Sequence, residues 1–383
     1  MDLVRLTQFL GEFQASGRLA IIANDTRISF GDENRRLLLS RYLPPRLSPT
    51  NVIIEEIVRF GQAIANDGNP LSPPQKKAPP VASLPMTVKL GHIDIAMQMG
   101  AKDWHDLGVL VNQTDQSAAE DFIARWLTRN VRLAIESKAE LQRGQALTNA
   151  AVVVSPMDMD DFTISLPDPA GHRLTIPSGT IAAPAGWYLS TYDPFYEDIL
   201  PMKRFLADKG CEVMSIIYSS RVEGVLLSND TVTRRMPGGV SLVVDSVGQL
   251  TSVMGASSQS GLGAVFQANG LPVPVVYDQR YSTQMGSFRY IGDENMLFIC
   301  ATGQSENLVY PTESGLKSQI VEDTLGYYGI GVSAGHSEPG LNISQEIRTS
   351  KPVGYKVEAY QDSFPVITQP EAIACLKIPV PTP

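Results

Sequence analysis

Apolar residues recur at helical spacing in the segment that follows Ser117, while charged residues occupy the opposite face. Ser117–Glu120 reads Ser-Ala-Ala-Glu, a capping box in which the serine accepts from an early amide and the glutamate reaches back. The pattern predicts one amphipathic helix of about 30 residues, longer than most globular cores need. Its apolar positions are Ala119, Phe122, Ile123, Trp126, Leu127, Val131, Ala134, Ile135 and Ala139, and the polar face includes Glu140 and Arg143.

A proline-rich segment precedes this helix. Six prolines lie between Asn66 and Leu90. Prolines at this density remove backbone donors and disfavour helix, and the segment has too few apolar residues for a core of its own. We therefore expect residues 61–90 to form an extended arm that cannot fold on itself and lies across a neighbouring copy of the chain. The candidate inter-subunit contacts are Leu71, Lys76, Lys77, Val81, Leu84 and Met86.

Shorter patterns flank these two elements. Residues 1–50 contain two apolar stripes at helical spacing, each too short to be stable without a surface to dock on. From Ala151 the alternation is typical of strands, with a hairpin predicted around Pro167–Gly171. Asp193–Pro194 indicates the start of a second helix, which Gly210 closes. The N-terminal stripes consist of Leu6, Phe9, Leu10 and Phe13, and of Leu37–Leu39 with Tyr42.

Composition is that of a globular protein. The 383 residues are 43% hydrophobic and 19% charged, enough to bury a large core divided between two lobes. No apolar run approaches the roughly 18 residues of a membrane span. The net charge of −9 argues against a dedicated nucleic-acid reader, which would carry a basic surface. Cys211, Cys300 and Cys375 include no CxxC motif, so we expect buried reduced thiols instead of a disulfide or zinc site.

Two motifs in the C-terminal third carry a family resemblance. Val275–Asp278 with Tyr281 comes before Ile291–Met296, which leads into Leu-Phe-Ile-Cys-Ala-Thr-Gly. Ser363–Ile367 is followed by Pro-Glu-Ala and a final apolar run. Together with the order of elements, these motifs resemble the tailed-phage major capsid proteins, of the lambda head-protein type with the Hong Kong ninety-seven fold. The family often has proline where Gly292 stands, and its extended loop is usually less proline-rich.

The resemblance implies an α+β fold with an N-terminal arm, an extended loop, a long spine helix, and peripheral and axial domains. It assigns residues 1–50 to the arm and 51–116 to the extended loop and its base. Residues 117–211 would form the spine helix and the first part of the peripheral domain. Residues 212–345 would form the axial domain, and 346–383 the closing strands of the peripheral domain.

The resemblance also implies a function. Hexamers and pentamers of the chain would close an icosahedral head around double-stranded DNA, with no catalytic residues, metal or cofactor. The chain would be made in the bacterial host cytoplasm and would reside in the virion. Its implied partners are other copies of itself, portal, scaffolding and decoration proteins, and packaged DNA contacted non-specifically, but no membrane. We also expect the mature protein to keep residues 1–50. An encapsulin-like shell of a bacterial nanocompartment, which shares the fold, is the alternative.

A second alternative is a cytosolic serine hydrolase. Gly331–Gly335 matches G-x-S-x-G, the nucleophile elbow that would make Ser333 the nucleophile. The elbow needs a helix after the serine, but Pro339 and Gly340 interrupt any such helix. His336 is the last histidine and lies too close in sequence for the usual triad order. A flexible loop is therefore the preferred interpretation.

Two other patterns could carry chemistry. His92–Asp94 and Trp104–Asp106 could in principle gather a metal, but strand-like alternation at the base of the extended loop explains both more simply. In the namesake of the fold, a lysine of the extended loop forms an isopeptide bond with a neighbour's asparagine. We interpret Lys76 and Lys77 instead as charges that keep the tip of the loop soluble.

Overall fold

The structure, a computed structural model, combines a long helix with two mixed β-sheets and several two-stranded ribbons. It describes residues 3–15, 37–57, 84–113, 116–155, 160–180, 183–236, 241–244, 250–254, 258–283, 286–312, 315–348 and 354–381. Four of the predicted contact residues, Leu71, Lys76, Lys77 and Val81, lie outside these ranges.

The α-helices lie in two parts of the chain, between Leu3 and Asn149 and between Leu200 and Ala268. The α-helices are α1 (Leu3–Ala15), α2 (Ala101–Asn112), α3 (Gln116–Leu127), α4 (Leu133–Asn149), α5 (Leu200–Asp208), α6 (Ser220–Ser228), α7 (Asp230–Thr233) and α8 (Ser258–Ala268). Short 3₁₀ helices span Leu38–Arg41, Gly186–Tyr188 and Pro370–Ala372, and π-helical turns span Thr128–Arg132 and Phe195–Ile199. Helix α3, the first π turn and α4 are continuous, and we call this run, Gln116–Asn149, the spine helix. The predicted long helix is confirmed, although it begins at Gln116, so Ser117 lies within its first turn.

The longest strand, β19, has 14 residues, and each of the others described has 9 or fewer. They are β1 (Pro45–Leu47), β2 (Val52–Ile57), β3 (Leu84–Lys89), β4 (Gly91–Gln98), β5 (Ala151–Val154), β6 (Phe162–Ser165), β7 (Arg173–Thr175), β8 (Ser215–Tyr218), β9 (Ser241–Val244) and β10 (Leu250–Met254). The remaining strands are β11 (Val275–Val276), β12 (Arg280–Thr283), β13 (Gly286–Arg289), β14 (Asn295–Ile299), β15 (Gln304–Thr312), β16 (Gly315–Asp323), β17 (Gly326–Ile330), β18 (Asn342–Arg348), β19 (Gly354–Ile367) and β20 (Ile373–Lys377).

The first sheet is organised around β19. Its C-terminal part pairs with β17, and its N-terminal part pairs with β18 on the same edge, both antiparallel. Strand β4 pairs with the opposite edge of β19, also antiparallel, and β1 extends the sheet by pairing in parallel with β17. The sheet thus combines strands from the beginning, middle and end of the chain, which makes it a product of long-range pairing.

The second sheet has the order β11-β8-β14-β20-β7. The two outer pairs are parallel, and the inner strands β8, β14 and β20 are antiparallel. Strand β14 is buried over most of its length, as expected for a strand in the middle of a covered sheet. Helices α5, α6 and α8 contribute the apolar residues Leu206, Val222 and Phe266 to the same core.

Both sheets combine strands from more than one of the predicted domain segments, whose boundaries stay a prediction. Strands β17 and β18 fall mostly within the predicted axial segment 212–345 but belong to the first sheet, together with β19. Strand β20 falls within the predicted closing segment 346–383 but pairs with β14 and β7 in the second sheet. The alternation of residues shows where strands lie but not which edge each strand will pair with.

The hairpin predicted around Pro167–Gly171 is wrong. Strand β6 is antiparallel to β5, the strand before it in the chain, and β7 is parallel to β20. His172 lies at the start of β7, where its Nδ1 is 2.8 Å from the carbonyl oxygen of Ile373. This buried contact fixes β7 beside β20, a partner far away in sequence that local alternation cannot reveal.

The second predicted helix is confirmed in its start and its end. Asp193 Oδ1 accepts from the amides of Phe195 at 3.1 Å and Tyr196 at 3.3 Å. Gly210 has a φ of +80°, which suits glycine at a helix end. The first turn is π-helical, since Pro201 has no N–H for the carbonyl four residues earlier.

The apolar side chains form two clusters. The larger one fills the space around the second sheet and includes Ala146 and Leu147 of the spine helix. The smaller one lies between α1, α2, α3 and the face of β19. The predicted stripe of α1 is confirmed, because Leu6, Phe9, Leu10 and Phe13 are all buried in the smaller cluster.

Candidate assembly surface

The ribbon formed by β2 and β3 is attached to the first sheet along one face only. Ile53 and Val88 are directly paired across the ribbon and are both buried. Next to them on the opposite face, Ile54 is 73% exposed. The ribbon makes no backbone pairing with any other described strand, so its attachment depends on the side chains of its inner face.

Two glycines, Gly329 in β17 and Gly331 just after it, make this attachment possible. A Cβ added at Gly329 would lie 2.5 Å from Cδ1 of Ile53, and one added at Gly331 would lie 2.4 Å from Cδ1 of Leu90. Real Cβ atoms do not approach neighbours this closely, so Ile53 and Leu90 occupy space that any other residue at these positions would fill.

A polar contact also holds β2 of the ribbon. Tyr327 donates its hydroxyl to Glu55 Oε1 at 2.7 Å, and Arg46 Nη1 lies 3.6 Å from the same oxygen. The Arg46 guanidinium also lies 4.8 Å from the ring centroid of Tyr327. Burial, together with the hydrogen bond to Glu55, raises the pKa of Tyr327, so its hydroxyl remains a donor at any ordinary pH.

The structure corrects the expectation that residues 61–90 cannot fold on themselves. Leu84–Lys89 forms β3, which pairs with β2 within the same chain. Of the predicted contact residues, Leu84 pairs with Ile57, and Met86 pairs with Glu55 and is half-buried against the larger cluster. Val88 of β3 is directly opposite Ile53 of β2, so this strand has a partner in its own chain. Contact with a second subunit stays a prediction for all six residues.

The spine helix links the two apolar clusters. Ile123, Trp126 and Leu127 of α3 are buried in the smaller cluster, while Ala146 and Leu147 of α4 are buried in the larger one. One continuous helix therefore contacts both clusters, and Ile135 in the first turn of α4 still belongs to the smaller one.

A π-helical turn, Thr128–Arg132, lies between α3 and α4. Thr128 Oγ1 donates to the carbonyl of Ala124 at 2.7 Å, and Asn130 Nδ2 donates to the carbonyl of Trp126 at 2.9 Å. Side chains that bond to carbonyls one turn back compete with the backbone amides and widen the helix locally. The helical period in the sequence did not reveal this turn, although Thr and Asn two residues apart in a helix interior are a signal for it.

A buried charged pair lies in α4, the C-terminal part of the spine helix. The Glu140 carboxylate has no exposed side-chain surface, and it accepts from the Leu39 amide at 2.7 Å and the Tyr277 hydroxyl at 2.9 Å. Arg143 Nη1 lies 3.3 Å from its other oxygen. Burial raises the pKa of Glu140, and the Arg143 charge and the three donors offset part of this effect.

Arg143 extends this site towards the first sheet. Its Nε donates to the Leu43 carbonyl at 3.0 Å, and its guanidinium lies 4.4 Å from the ring centroid of Tyr328. The Tyr328 hydroxyl donates to Gln142 Oε1 at 2.6 Å and lies 3.1 Å from Ser363 Oγ. Burial raises the pKa of Tyr328 to about 12.

We call these groups the spine junction: Glu140, Gln142, Arg143, Tyr277, Tyr328 and Ser363, with the backbone of Leu39 and Leu43. The junction joins the last part of the predicted N-terminal arm, the spine helix, the first sheet and the residue that follows β11, Tyr277. The sequence pattern placed Glu140 and Arg143 on the polar face of the helix, but it did not reveal that both side chains are buried. Charged residues spaced three apart look the same in sequence whether they are solvated or paired inside a core.

The catalytic geometry considered for Ser333 is absent. Residues 334–341 form turns and bends and contain no helix, and an isolated bridge joins Val332 to Pro339. Ser333 is buried and its Oγ has no hydrogen-bond partner in the described part of the chain. His336 Nε2 instead lies 2.5 Å from the Tyr360 hydroxyl. This arrangement does not support a nucleophile elbow.

The two patterns considered for a metal are separated in the fold. His92–Asp94 lies in strand β4, as predicted, and His92 Nδ1 is 2.6 Å from Asp362 Oδ1. Trp104–Asp106 lies in helix α2, so its strand-like interpretation was wrong. Among the described residues, no group of three or more histidine, cysteine or acidic side chains could hold a metal ion.

Comparison with known proteins identifies the fold. No protein-family model matches the chain, and no curated protein matches it. A prophage protein of E. coli CFT073, provisionally identified as a capsid protein, aligns with a TM-score of 0.56 at 14% identity, covering 95% of this chain and 98% of that one. The chain therefore has the fold of that protein, and the predicted Hong Kong ninety-seven-type capsid fold is confirmed.

Two further solved structures are similar at lower scores. A phage-related protein from Bordetella bronchiseptica RB50 has a TM-score of 0.48 at 12% identity, covering 94% of this chain and 96% of that one. The SrpI encapsulin complex from Synechococcus elongatus PCC 7942 has a TM-score of 0.39 at 11% identity, with coverages of 95% and 94%. Within the described residues, no helix combines the length and apolar character that crossing a membrane requires.

Proposed function

We propose that this chain is the major capsid protein of a tailed phage, which assembles as hexamers and pentamers into an icosahedral head around double-stranded DNA. The observation that carries the proposal is the fold that it shares, over nearly the full length of both chains, with the prophage protein of E. coli CFT073. A fold alone does not define a function, so the features of the surface must support the same conclusion.

The β2–β3 ribbon gives that support. Its outer face exposes Val52 and Ile54, and the strands lead into residues 58–83, which contain five prolines. An exposed apolar face on an unpaired ribbon suits contact with a second chain. We propose that the ribbon and the segment beyond it lie across an adjacent subunit, through Leu71, Lys76, Lys77, Val81, Leu84 and Met86.

The remaining parts of the proposal follow from such a shell. The lobe that contains the second sheet would meet its symmetry mates around the hexamer and pentamer axes. Portal, scaffolding and decoration proteins would be further partners, and the chain would be made in the host cytoplasm before it enters the virion. A net charge of −9 suits a container that does not trap its DNA electrostatically.

Electron microscopy of the purified full-length chain tests the proposal. We expect closed shells or capsomer rings in negative stain, and a sedimenting species far heavier than the 41.6 kDa chain. A chain that stays monomeric across a wide range of salt and protein concentrations would contradict self-assembly. Particles purified from phage-producing cells should hold nuclease-resistant DNA. Shells that hold only protein cargo would favour the encapsulin alternative.

A hydrolase assay separates the remaining alternative. The full-length chain and a Ser333→Ala variant are compared on an activated ester. We expect no difference between them, because Ser333 is buried and lies outside any nucleophile elbow. Turnover that disappears in Ser333→Ala would reject this part of the proposal.

A further inference from the structure

A cavity lies between the C-terminal end of the spine helix and the β12–β13 ribbon. Its volume is about 310 Å³, at the lower end of the range of roughly 300–1,000 Å³ that is typical of ligand pockets. One wall is a single helical face, since Leu141, Gln145 and Thr148 of α4 line the cavity at spacings of four and three residues. The opposite wall is the ribbon and the loop that follows it. A cavity of this size admits a side chain or a short extended peptide, not a folded element.

The ribbon contributes aromatic side chains to this lining. Tyr281 and Phe288 are directly paired across the ribbon, and their ring centroids are 5.9 Å apart. The Tyr281 ring also lies 5.5 Å from the ring of Tyr290. Phe288 is 47% exposed, so this part of the apolar lining is still open to solvent. An exposed aromatic ring beside a cavity suits contact with another molecule.

Two arginines of the ribbon also line the cavity. Arg280 and Arg289 are directly paired across the ribbon, a position in which like charges repel. Arg289 is largely buried and has two carboxylate partners, because its Nε lies 2.7 Å from Asp278 Oδ1 and its Nη1 pairs with Asp293. Arg280 is exposed, and no carboxylate in the described part of the chain pairs with it. An anion bound at Arg280 would therefore offset a repulsion that the single chain leaves in place.

Uncharged donors complete the lining. Gln145 Oε1 accepts from a backbone amide of β5 at 3.1 Å, which leaves the Gln145 Nε2 as a donor. The Tyr281 hydroxyl bonds to no other described residue, and burial raises the pKa of Tyr281, so this hydroxyl stays a donor at any ordinary pH. The end of the spine helix does not repel an anion strongly, since Arg173 already donates to the carbonyls of Leu147 at 3.2 Å and Thr148 at 3.0 Å.

We propose that this cavity binds an acidic side chain of a second copy of the chain, with the carboxylate on Arg280, Gln145 and Tyr281 and the aliphatic stem against Phe288. The inference rests on the proposed assembly into shells and names one contact within it. Charge complementarity favours a second copy, because each chain has 40 acidic residues and only 31 lysines and arginines. The acidic side chain and the cavity are different surfaces, so the contact is heterologous and closes a ring when it repeats around an axis.

A phosphate of packaged DNA fits the cavity less well. Nucleic-acid backbones are bound by several cations together. Within the part of the chain that the structure describes, Arg280 is the one cation of this lining without a carboxylate partner, and Asp293 lines the same cavity. A single carboxylate matches this charge, whereas a run of phosphates would meet Asp293 as a like charge.

Photo-cross-linking from the exposed ring tests the proposal. The photoreactive residue p-benzoylphenylalanine replaces Phe288 in the full-length chain, and particles are formed from a mixture of normal and heavy-isotope chains. We expect irradiation to join peptides of differently labelled chains, with an aspartate or glutamate beside the attachment point. The same replacement at Phe162, which is 45% exposed, is the matched control and should not attach to that peptide. Attachment only within one chain, to DNA or to a different protein would overturn the proposal.

Charge variants give an independent readout. Arg280→Glu should lower the fraction of chains in sedimenting particles by roughly tenfold at equal protein concentration, because it sets like charges against each other. Arg280→Lys should retain most of the particles. Arg204→Glu is the control, since Arg204 is exposed on α5 and undergoes the same change of charge. The thermal midpoint of free Arg280→Glu should not fall, because the side chain is exposed and the change removes its repulsion with Arg289.

The outcomes separate this contact from the proposed function. Shells of normal yield from Arg280→Glu would overturn the contact and leave the capsid function intact. A full-length chain that never assembles would overturn both. If Arg280→Glu fails to fold, the cross-linked peptide from position 288 decides.

Discussion

The spine junction and the β2–β3 ribbon both rest against the first sheet, yet they are opposite in how they meet solvent. At the junction, a carboxylate with no exposed surface receives three donors from its own chain. On the ribbon, Ile54 is 73% exposed although its neighbour Ile53 is buried. One region satisfies costly polar groups internally, and the other leaves apolar surface uncovered.

This difference shows two requirements on one sequence, the stability of the single chain and the contact between chains. A buried ion pair is weak as a source of stability, but removing one partner leaves an unpaired charge in a core. The junction therefore makes the relative position of its four segments hard to change. An exposed apolar ribbon costs the single chain some solubility and suits a surface that a second copy covers. We expect changes at the junction to affect the folded chain, and changes on the outer ribbon to affect assembly.

The largest expected effect is that of Arg143→Met. The variant keeps the volume of the side chain but leaves Glu140 buried without its cation, and it removes the donor to Leu43. We expect a loss of about 3 kcal/mol or more in the free energy of unfolding, measured by chemical denaturation. Arg125→Ala on the same helix is the control, because the exposed Arg125–Asp121 pair at 3.9 Å should contribute less than about 0.5 kcal/mol. Equal losses of stability in the two variants would show that the buried pair at the junction contributes no more than an exposed pair.

Gly144→Ala should destabilise the chain by about 2–3 kcal/mol. A Cβ at Gly144 would lie 2.1 Å from the Tyr290 carbonyl oxygen, so the spine helix and the second lobe would have to separate. Gly224 in α6 is the matched control, since nothing lies within 4 Å of its added Cβ. Gly224→Ala should stabilise the chain by about 0.5–1 kcal/mol through helix propensity. Thermal unfolding of both variants distinguishes crowding from a general effect of glycine replacement.

Elements with a strong local pattern could be predicted from the sequence. The spine helix, the stripe of α1, and the cap and end of the second helix all follow from spacing and capping residues close together in the chain. The capsid-type fold could be inferred because the order of such elements is distinctive. Pairing partners could not be predicted in the same way. Strand β7 pairs with β20, and Leu84–Lys89 pairs within its own chain, because of edges formed far away in sequence.

The candidate site was the least predictable part. Glu140 and Arg143 carry the same letters as solvated residues, and only the approach of Leu39, Tyr277 and Tyr328 makes them a buried junction. The chemistry of the junction therefore depends on tertiary contacts between segments that no sequence motif connects.

Adjacent isoleucines on the ribbon give a direct test of the comparison. Ile53→Ala should cost about 2 kcal/mol of stability, since it empties space against Gly329 and Leu90. Ile54→Ala should change the stability of the free chain by less than about 0.5 kcal/mol, because the side chain is exposed. Sedimentation should show instead that Ile54→Ala shifts assembled particles towards free subunits. Normal particles from Ile54→Ala would mean that the outer face of the ribbon is not an assembly contact.

The smallest expected effect is a change in pH dependence at the junction. Burial raises the pKa of Glu140 in the folded chain above its ordinary value of 4.5, so between these two values the folded chain binds more protons than the unfolded one. Stability contributed by this group is therefore fully present below about pH 4.5 and decreases as the pH rises through the folded value. Burial also raises the pKa values of Asp198 and Glu223, so the pH profile of the unaltered chain alone would not isolate the effect of Glu140.

The variant Glu140→Gln isolates this effect, because its side chain keeps an oxygen that can accept from Leu39 and Tyr277 but cannot titrate. Denaturant unfolding at several pH values should show the stability of the unaltered chain falling relative to that of Glu140→Gln as the pH rises above 4.5. Parallel profiles for the two chains would mean that the three donors fully compensate the burial of the carboxylate.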